Sequence, residues 1–471
     1  MDRYRNPVLD ADFSDPDVIR VGDDFYLVAS SFGRVPGLPI LHSHDLVSWR
    51  LIGHALDRLF DVPQPGCGVW APALRHHDGL FWIFYPDPDR GIFVLTAESA
   101  AGPWSPPRLL KGGRGLIDPC PLWDDDGRAY LVHAWARSRA GFNNRLTLHE
   151  MSPSAGALLD DGRTVIDGDA LPGYRTLEGP KLYKRDGWYW IWAPAGGVRD
   201  GWQSAFRSRS IAGPYDGRIV LARGESPING PHQGAWVDTP GGEDWFLHFQ
   251  DRHAYGRVVH LQPMAWDGDG WPVIGNRGTP VLTHRRPGVA GAPSRFPEVP
   301  EWFWAANPDP SWLTPAPGGG MRLACAPSDD GDLRRRPNVL GRRLPGSPVT
   351  VRTSLRLSST SDACRAGLVV LGTAYAWIGV VRRAGRTYLT CRTAEPGGPE
   401  VDAAPPVELP ADVPVDLGLH VAEGDRGRFL VDGVPGPPFT ATAGVWVGAT
   451  LGVFASGEAG YADFGYPEVI R

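Results

Sequence analysis

The chain has 471 residues, of which 42% are hydrophobic and 21% are charged, a composition typical of a globular protein with two or three domains. Its 60 glycines, 47 prolines and 19 tryptophans predict many turns between short aromatic strands rather than long helices. No apolar run reaches the roughly 18 residues of a membrane span. A formal net charge of −6 argues against nucleic acid and anionic membranes as partners.

Two features of the chain predict a cytoplasmic location. The opening stretch, "MDRYRNPVLDADFSDPDVIR", has no apolar segment of the kind found in secretory signal peptides. The five cysteines are scattered and never spaced as a CxxC pair, which is typical of reduced thiols rather than of disulfides or a zinc site. The sequence leaves the formation of a homo-oligomer open.

Five stretches of the chain repeat one pattern. In chain order they are "DPDVIRVGDDFYLVAS" from Asp15, "WAPALRHHDGLFWIFY" from Trp70, "DPCPLWDDDGRAYLVHAW" from Asp118, "EGPKLYKRDGWYWIWAP" from Glu178 and "HQGAWVDTPGGEDWFLHF" from His232. Each begins with a polar or aromatic head residue and continues as a hairpin: a short apolar strand, a polar turn and an aromatic strand. The heads recur roughly every 50 residues, which is the period of propeller blades. The sequence therefore predicts an all-β fold that begins with a five-bladed β-propeller.

The head residues are expected at one mouth of the central channel, because the first strand of every blade lines that channel. Asp15, Asp118 and Glu178 are predicted to hold equivalent positions in three blades, with Trp70 and His232 in the other two. A single acidic residue beside a turn usually just closes the turn. Three that converge repel one another and are costly to remove from water, which indicates a function.

Acid–base chemistry and metal binding are the two functions that such a group of carboxylates supports. Glycoside hydrolysis needs a protonated carboxyl for the leaving oxygen and an ionised one to activate water or attack carbon. Calcium would also accept oxygen ligands, but no loop offers clustered Asp and Asn residues. Phe32, Trp70 and Trp202 lie on the predicted funnel side, where each is either a sugar platform or a core residue.

Several long motifs resemble glycoside hydrolase family 43, the β-xylosidases and α-L-arabinofuranosidases. They are "NPVLDADFSDPDVIRVGDDFYLVASSF", "GVWAPALRHHDG", "IDPCPLWDDDGRAYLV", "TLEGPKLYKRDGWYWIWAP", "INGPHQGAWVDT" and "YGRVVHLQPMAWDGDGWPVIG". The resemblance covers essentially the whole propeller. It implies an inverting, exo-acting enzyme that releases xylose or arabinose from xylo- or arabino-oligosaccharides without a required cofactor.

The resemblance assigns a role to each of the three acids. Asp15 in "SDPD" matches the family's general base, Asp118 in "IDPC" matches the carboxylate that orients the acid and raises its pKa, and Glu178 in "LEGP" matches the general acid.

Four other residues match family positions at the rim or in the channel. Arg257 in "YGRV" matches an arginine that holds substrate hydroxyls, and Phe32 and Trp70 match walls of the sugar pocket. His232 matches a channel histidine that in some relatives ligates calcium or water, although it could equally be a plain channel-lining residue. One departure is "SSFGRVPGLPI", in which Arg34 is expected to replace part of the pocket wall and thereby affect sugar preference.

The repeats stop before residue 286. Residues 286–300 are rich in Pro and Gly and predict a linker, so the propeller is assigned to residues 1–285. Beyond the linker, "PVTVRTSLRLSS", "AGLVVLGTAYAWIGVVRR" and "RGRFLVDGVPG" predict strands at the spacing of a β-sandwich over residues 301–471. This part resembles the jelly-roll or concanavalin-like domain behind family 43 β-xylosidases.

Two alternatives accompany the leading interpretation. One is a related five-bladed glycosidase with a different sugar specificity, and the other is a sugar-binding propeller without catalysis. A non-catalytic propeller is expected to have lost at least one of the three acids, and all three are present.

Overall fold

The computed structural model describes residues 2–60, 65–289, 294–297, 299–327, 331–335, 338–346, 348–410 and 412–470. These residues form two compact units, one of Met1–Asp251 with Arg257–Pro300 and one of Arg252–Gly256 with Glu301–Arg471. The domain limits drawn from the sequence stay predictions, and residues 290–293 and 298 of the predicted linker lie outside the described residues.

The first unit contains five antiparallel four-stranded sheets within its described residues, each built from strands that are consecutive in the chain. A short strand, β1 (Arg3–Arg5), precedes them. Blade 1 has β2 (Asp17–Val21), β3 (Asp24–Val28), β4 (Gly37–Ser43) and β5 (Arg50–Leu56). Blade 2 has β6 (Ala73–His77), β7 (Leu80–Asp87), β8 (Gly91–Ala97) and β9 (Arg108–Gly112). Blade 3 has β10 (Leu116–Trp123), β11 (Ala129–Trp135), β12 (Arg145–Met151) and β13 (Arg163–Asp167), with a short helix α1 (Arg137–Ala140) between its second and third strands.

The remaining two blades repeat the same order. Blade 4 has β14 (Lys181–Arg185), β15 (Trp188–Ala195), β16 (Trp202–Ser208) and β17 (Asp216–Ala222). Blade 5 has β18 (His232–Asp238), β19 (Asp244–Asp251), β20 (Arg257–Trp266) and β21 (Pro272–Ile274), and β22 (Thr283–Arg285) follows it. Short 3₁₀ helices occupy Gly168–Ala170 and His253–Tyr255. The five-bladed propeller predicted from the repeats is confirmed.

The middle strands of the blades are mainly apolar because both faces of each blade are buried. Side chains alternate between the two faces of a strand. In β15, Trp190 and Trp192 pack with Phe246 of blade 5, whereas Ile191 packs with Val132 of blade 3. Such interfaces between neighbouring blades form the propeller core and explain the aromatic hairpins of the sequence.

A buried ionic network joins the first strands across the channel. Asp17 of β2 accepts hydrogen bonds from the Leu74 backbone N–H at 2.7 Å and from Arg75 Nη1 at 2.8 Å, both on β6. The ammonium group of Lys181, on β14 of blade 4, lies 3.6 Å from Asp17 Oδ1. Arg75 Nη2 also lies 2.7 Å from the sulfur of Cys120 on β10. Four of the five blades therefore meet at one set of side chains.

The second unit consists of two eight-stranded sheets within its described residues. In strand order, the first contains β23 (Phe303–Trp304), β26 (Leu340–Arg343), β36 (Thr450–Ser456), β28 (Arg365–Leu371), β29 (Tyr375–Arg383), β30 (Arg386–Ala394), β31 (Glu400–Asp402) and, also paired with β30, β32 (Val407–Leu409). The second contains β24 (Leu313–Pro315), β25 (Met321–Ala324), β37 (Tyr461–Phe464), β27 (Val349–Ser358), β33 (Val415–Val421), β34 (Arg426–Val431), β35 (Val434–Thr440) and, paired with β27, β38 (Glu468–Ile470). Two more 3₁₀ helices occupy Pro310–Trp312 and Leu333–Arg335.

One hydrophobic core holds the two sheets of the second unit together. Leu368 and Ile378 of the first sheet and Val351 and Leu419 of the second belong to the same buried cluster. The predicted β-sandwich is therefore confirmed. The five cysteines of the chain are all buried and free. None of the described helices has the length and apolar character that crossing a membrane requires.

The propeller ring is closed by the N-terminal segment. Strand β1 pairs with β22, and Tyr4 is buried with its ring 6.1 Å from that of Trp245 and its hydroxyl donating to Leu261 O at 2.8 Å. Asn6 bonds the Leu261 backbone through both its amide oxygen and its amide nitrogen. Residues outside the blades thus fasten blade 5 to the start of the chain.

We expect Tyr4→Ala to lower the free energy of unfolding by about 3–5 kcal/mol, because it leaves a cavity in the closing contact. The matched control Tyr4→Phe keeps the ring and loses one buried hydrogen bond, so it should cost about 1 kcal/mol. Guanidinium unfolding followed by circular dichroism measures both. Equal losses for the two variants would show that ring packing at Tyr4 does not close the propeller.

Candidate active site

Asp15 and Asp118 occupy the same repeat position in blades 1 and 3. Both have left-handed backbone conformations, with φ of 54° and 55°. Asp15 lies two residues before Asp17, the first paired residue of β2, and Asp118 lies in the register shift of β10, two residues before Cys120, where the pairing resumes. The corresponding residues of blades 4 and 5, Gly179 and Gln233, have φ of 59° and 48°. Left-handed backbone is uncommon for residues other than glycine, and aspartate is among the side chains that tolerate it.

Glu178 lies one residue before this position, so the predicted equivalence of the three acids is wrong by one residue. The strand register aligns Asp15 and Asp118 with Gly179, and aligns Glu178 with Trp70 and His232. The Pro that follows Asp15 and Asp118 directly is two residues away from Glu178. Consecutive residues of an extended chain point their side chains to opposite sides. The Glu178 side chain therefore reaches the channel mouth from a different position in the turn than the side chains of Asp15 and Asp118.

Asp15 is 5% exposed and is surrounded by hydrogen-bond donors. Ser30 Oγ donates to its Oδ2 at 2.5 Å, and Arg257 Nη1 lies 3.2 Å from its Oδ1. Arg257 also donates to Ser14 Oγ at 3.0 Å. Asp15 and Arg257, two predicted site residues, therefore form a buried ion pair between blades 1 and 5.

A second buried ion pair, between Asp12 and Arg34, holds the backbone of Arg257 in place. The Asp12 side chain accepts the backbone N–H of Arg257 at 3.0 Å through Oδ1 and bonds Arg34 Nη1 at 2.6 Å through Oδ2. Arg34 is 6% exposed. The guanidinium group of Arg34 is bonded to Asp12, and the expectation that Gly33 and Arg34 replace part of the sugar-pocket wall stays a prediction.

Asp118 is 5% exposed and accepts the backbone N–H of Gly179 at 2.7 Å through Oδ2. Burial, and after it the negative charge of Glu178, raises the pKa of the Asp118 carboxyl to about 8, while the Gly179 hydrogen bond and Lys181 act in the opposite direction. The Asp118 carboxyl therefore holds its proton near neutral pH.

Glu178 is the most accessible of the three acids, with 22% of its side chain exposed. Its Oε1 lies 2.9 Å from Nε2 of His232, which is completely buried. The Nδ1 atom of His232 is buried and has no hydrogen-bond partner among the described residues. His232 therefore orients the carboxyl group that faces solvent.

The two predicted pocket walls lie side by side. The rings of Phe32 and Trp70 are 6.3 Å apart, and a backbone bridge joins Phe32 to Val69. Trp70 donates its indole N–H to Gly66 O at 2.8 Å, and the Arg139 guanidinium lies 5.4 Å from its ring centre. These contacts fix one aromatic corner at the mouth.

Trp202 has different neighbours. Its ring makes an edge contact with Tyr174 at 5.6 Å, and the Arg175 guanidinium lies 6.0 Å from its centre. It also packs against the hydrophobic core between blades 3 and 4. These contacts place Trp202 at the edge of the hydrophobic core between blades 3 and 4. Its use as a sugar platform stays a prediction.

Sequence reasoning missed several residues of the site. Ser30 contacts Asp15, Asp12 contacts Arg257, and Arg139 contacts Trp70. In each pair the two residues are at least 15 positions apart in the sequence. The run "DADFSDPD" offered one usable observation, since Asp12 lies three residues before Asp15. No motif in the sequence pointed to Arg139.

The raised pKa of Asp118 gives stability a defined pH dependence. The folded state holds a proton that the unfolded chain releases near the ordinary aspartate pKa of about 3.9, so folding stability should fall as pH rises from about 4 to about 8. Asn at position 118 keeps an acceptor for the Gly179 N–H and removes the titrating group. Asp118→Asn should therefore be more stable than the parent at about pH 8, with the difference shrinking toward about pH 4.

Urea midpoints measured across this pH range test the prediction. Asp23→Asn, in the exposed turn between β2 and β3, is the matched control and should show no such trend. A stability difference between Asp118→Asn and the parent that does not change with pH would contradict a raised pKa at Asp118.

Comparison with known proteins agrees with this geometry. The sequence model for glycosyl hydrolases family 43 matches residues 4–272, and the model for the beta xylosidase C-terminal concanavalin A-like domain matches residues 299–469. A Xylanibacter ruminicola protein is 39% identical over 400 residues, which cover 80% of this chain and 73% of that protein. A non-reducing end alpha-L-arabinofuranosidase of Bacteroides ovatus is 32% identical over 78% of this chain and 73% of its own length.

Solved structures show the same two-domain fold. A xylan beta-1,4-xylosidase from Bacillus halodurans C-125 is 26% identical, covers 99% of this chain and 100% of its own, and superposes with a TM-score of 0.89. The family match spans more than half of the chain and includes all three acids. The chain belongs to glycosyl hydrolase family 43 and is a glycoside hydrolase.

Proposed function

We propose that this glycoside hydrolase is an exo-acting, inverting enzyme that removes single xylose or arabinofuranose units from the non-reducing ends of oligosaccharides. The observation that carries the proposal is the gathering of Asp15, Asp118 and Glu178 at one channel mouth, with Arg257 and His232 bound to two of them. Relatives named as a xylosidase and as an arabinofuranosidase support both sugars as candidates.

Asp15 is proposed to act as the general base. Ser30 and Arg257 fix the orientation of its carboxylate, so one lone pair can be directed at a water molecule beneath the sugar. The guanidinium group of Arg257 therefore orients Asp15. The predicted contact of Arg257 with substrate hydroxyls would use the same group. The Asp12–Arg34 pair holds the Arg257 backbone in place.

Glu178 is proposed to act as the general acid. It is the acid with the largest solvent exposure, and its contact with His232 fixes the carboxyl toward the mouth. Asp118 bonds the backbone N–H of the next residue, Gly179, so it is suited to position Glu178 and to keep a proton in the pair rather than to touch the reacting atoms.

No step of this mechanism uses a metal. Calcium prefers about six to eight oxygen ligands. The described contacts of His232 are a carboxylate on Nε2 and a buried Nδ1 without a partner. In the part of the chain that the structure describes, His232 does not belong to any group of three or more metal-ligating side chains. These residues do not fit a calcium site, and the free Nδ1 is better matched by a water molecule.

A cytoplasmic site of action is a further part of the proposal. Five free, buried cysteines are typical of a protein that works in a reducing compartment. The substrate would then be short oligosaccharides rather than polymeric xylan. Rates on aryl β-xyloside, α-L-arabinofuranoside and β-galactoside, compared side by side, decide the sugar preference. A β-galactoside hydrolysed fastest would overturn the choice of pentose substrates.

Water activation by Asp15 predicts inversion at the anomeric carbon, because water attacks from the face opposite the leaving group. Proton NMR of the first-formed sugar, recorded before mutarotation, should show the anomer opposite to that of the substrate. Retention of configuration would mean that a carboxylate attacks carbon directly, and it would exclude the role proposed for Asp15.

Replacing each acid should affect substrates differently. Glu178→Gln removes the proton donor and should lower kcat by about 10²–10⁴-fold for an alkyl xyloside but much less for a dinitrophenyl xyloside, whose leaving group needs no proton. Asp15→Asn removes water activation and should slow both substrates equally.

Glu98→Gln, at an exposed position of blade 2, is the matched control and should leave both rates unchanged. A similar loss on both substrates for Glu178→Gln would show that Glu178 is not the acid.

A further inference from the structure

Blade 1 carries a second cluster of chemically active side chains at the far end of its strands. Asp24, His42 and His44 each offer one ligand atom, and these three atoms lie within 4.8 Å of one another. His42 Nε2 is 2.8 Å and His44 Nδ1 is 3.0 Å from the same oxygen, Asp24 Oδ1. Two imidazoles therefore point at one carboxylate oxygen.

The strand register explains why the three side chains meet. Tyr26 pairs with His42 and Phe25 with Ser43, so Asp24 lies opposite His44 on the same face of the blade. The turn after β4 is held by Asp45, whose carboxylate accepts the backbone N–H groups of Val47 and Ser48 at 2.9 and 2.6 Å. His44 is thus fixed between a strand end and a rigid turn.

The cluster is remote from the active site. Asp17 pairs with Val28 and Val21 pairs with Asp24, so Asp24 is at the opposite end of the first hairpin from Asp15. At the rise of an extended strand, the two aspartates are separated by roughly 20 Å. Neither the acids nor the aromatic walls of the active site take part in it.

The surroundings of the two histidines resemble those of metal ligands. His42 has no exposed side-chain area, and its second nitrogen, Nδ1, lies 3.1 Å from Ser294 Oγ, an outer partner of the kind that fixes a metal-binding imidazole. His44 is 16% exposed, which leaves one side of the cluster open to solvent. Its Nε2 is buried without a hydrogen-bond partner among the described residues, and its Nδ1 lies 3.0 Å from Asp24 Oδ1.

A neighbouring cation sets the charge of the cluster. Arg295 Nη2 lies 2.9 Å from Asp24 Oδ2 and 3.1 Å from the Tyr26 hydroxyl. Its side chain is 66% exposed, so the pair with Asp24 is weak and leaves Oδ1 available.

We propose that Asp24, His42 and His44 form a binding site for a divalent transition-metal ion such as Zn²⁺. Two imidazole nitrogens and one carboxylate oxygen are a ligand set that zinc favours, with a fourth position open to water. The ion would take the place of the protons now shared between the imidazoles and Asp24 Oδ1. Because the ligands come from two strands, a bound ion would cross-link β3 and β4 and stabilise the propeller.

Zinc binding to the untagged, chelator-treated protein tests the proposal. Isothermal titration with Zn²⁺ alone should detect one site, and a hundredfold excess over Kd should raise Tm by roughly 5 °C. His44→Gln should weaken the site at least tenfold and reduce the shift in Tm to about half or less at the same zinc concentration. His76→Gln, at an exposed position of blade 2, is the matched control and should behave like the parent.

Arg295→Gln should change zinc affinity in the direction opposite to His44→Gln. This variant therefore distinguishes a metal site from a simple hydrogen-bond cluster. Removing the positive charge beside Asp24 should tighten zinc binding, whereas an unchanged or weaker affinity would count against the site. Zinc binding that is equal in the parent and in His44→Gln, or absent from both, would overturn the proposal. If His44→Gln fails to fold, Co²⁺ absorption of the parent decides, since tetrahedral imidazole–carboxylate coordination gives visible bands that are far more intense than the weak band of the aqueous ion. A spectrum identical to that of aqueous Co²⁺ would overturn the proposal.

Discussion

Within the described residues no β-ladder joins one blade to the next, so the propeller depends on side-chain contacts between blades, including those among the innermost strands. At the centre of these contacts is Asp17, a carboxylate with no exposed area that faces both Arg75 and Lys181. Removing one member of a buried ionic group leaves an uncompensated charge and is strongly destabilising. The network therefore fixes the relative positions of blades 1, 2 and 4, which carry Asp15, Trp70 and Glu178.

The same network reaches the catalytic chemistry. Lys181 acts on the pKa of Asp118 against the effect of burial. The cation that helps hold the ring together thus also limits how strongly Asp118 retains a proton. Asp15, by contrast, is paired with Arg257 and bonded by Ser30. Two aspartates at the same repeat position therefore have opposite surroundings, which suits Asp15 to the role of base and Asp118 to the support of the acid Glu178.

The sequence allowed the architecture to be predicted because each blade repeats the same local pattern. A strand with two buried faces must be apolar throughout, so hairpins such as that around Trp190 are recognisable without any long-range information. The gathering of Asp15, Asp118 and Glu178 followed from the symmetry of the ring. Alignment of the heads on the following proline would have shown that Glu178 lies one residue earlier.

The remaining parts of the site depend on side chains that meet across the fold. Arg34 was expected at the pocket wall because relatives carry an aromatic residue or histidine shortly after the phenylalanine that matches Phe32. The structure adds a buried ion pair between Arg34 and Asp12 on another loop. Nothing in the spacing of residues encodes such a pair, because its energy comes from burial that exists only after folding. The support of Trp70 by Arg139 is hidden from the sequence for the same reason.

Each blade is complete within one continuous stretch of sequence, and the short pairing of β1 with β22 lies outside the blades. Circular permutation is therefore open to this ring in a way it is not for propellers whose last sheet combines strands from both ends of the chain. New termini placed in the connection between two blades would cut no sheet and would separate no catalytic residue from its own hairpin. A permuted chain would begin with a different blade, and the blades would still follow one another in the same order around the active site.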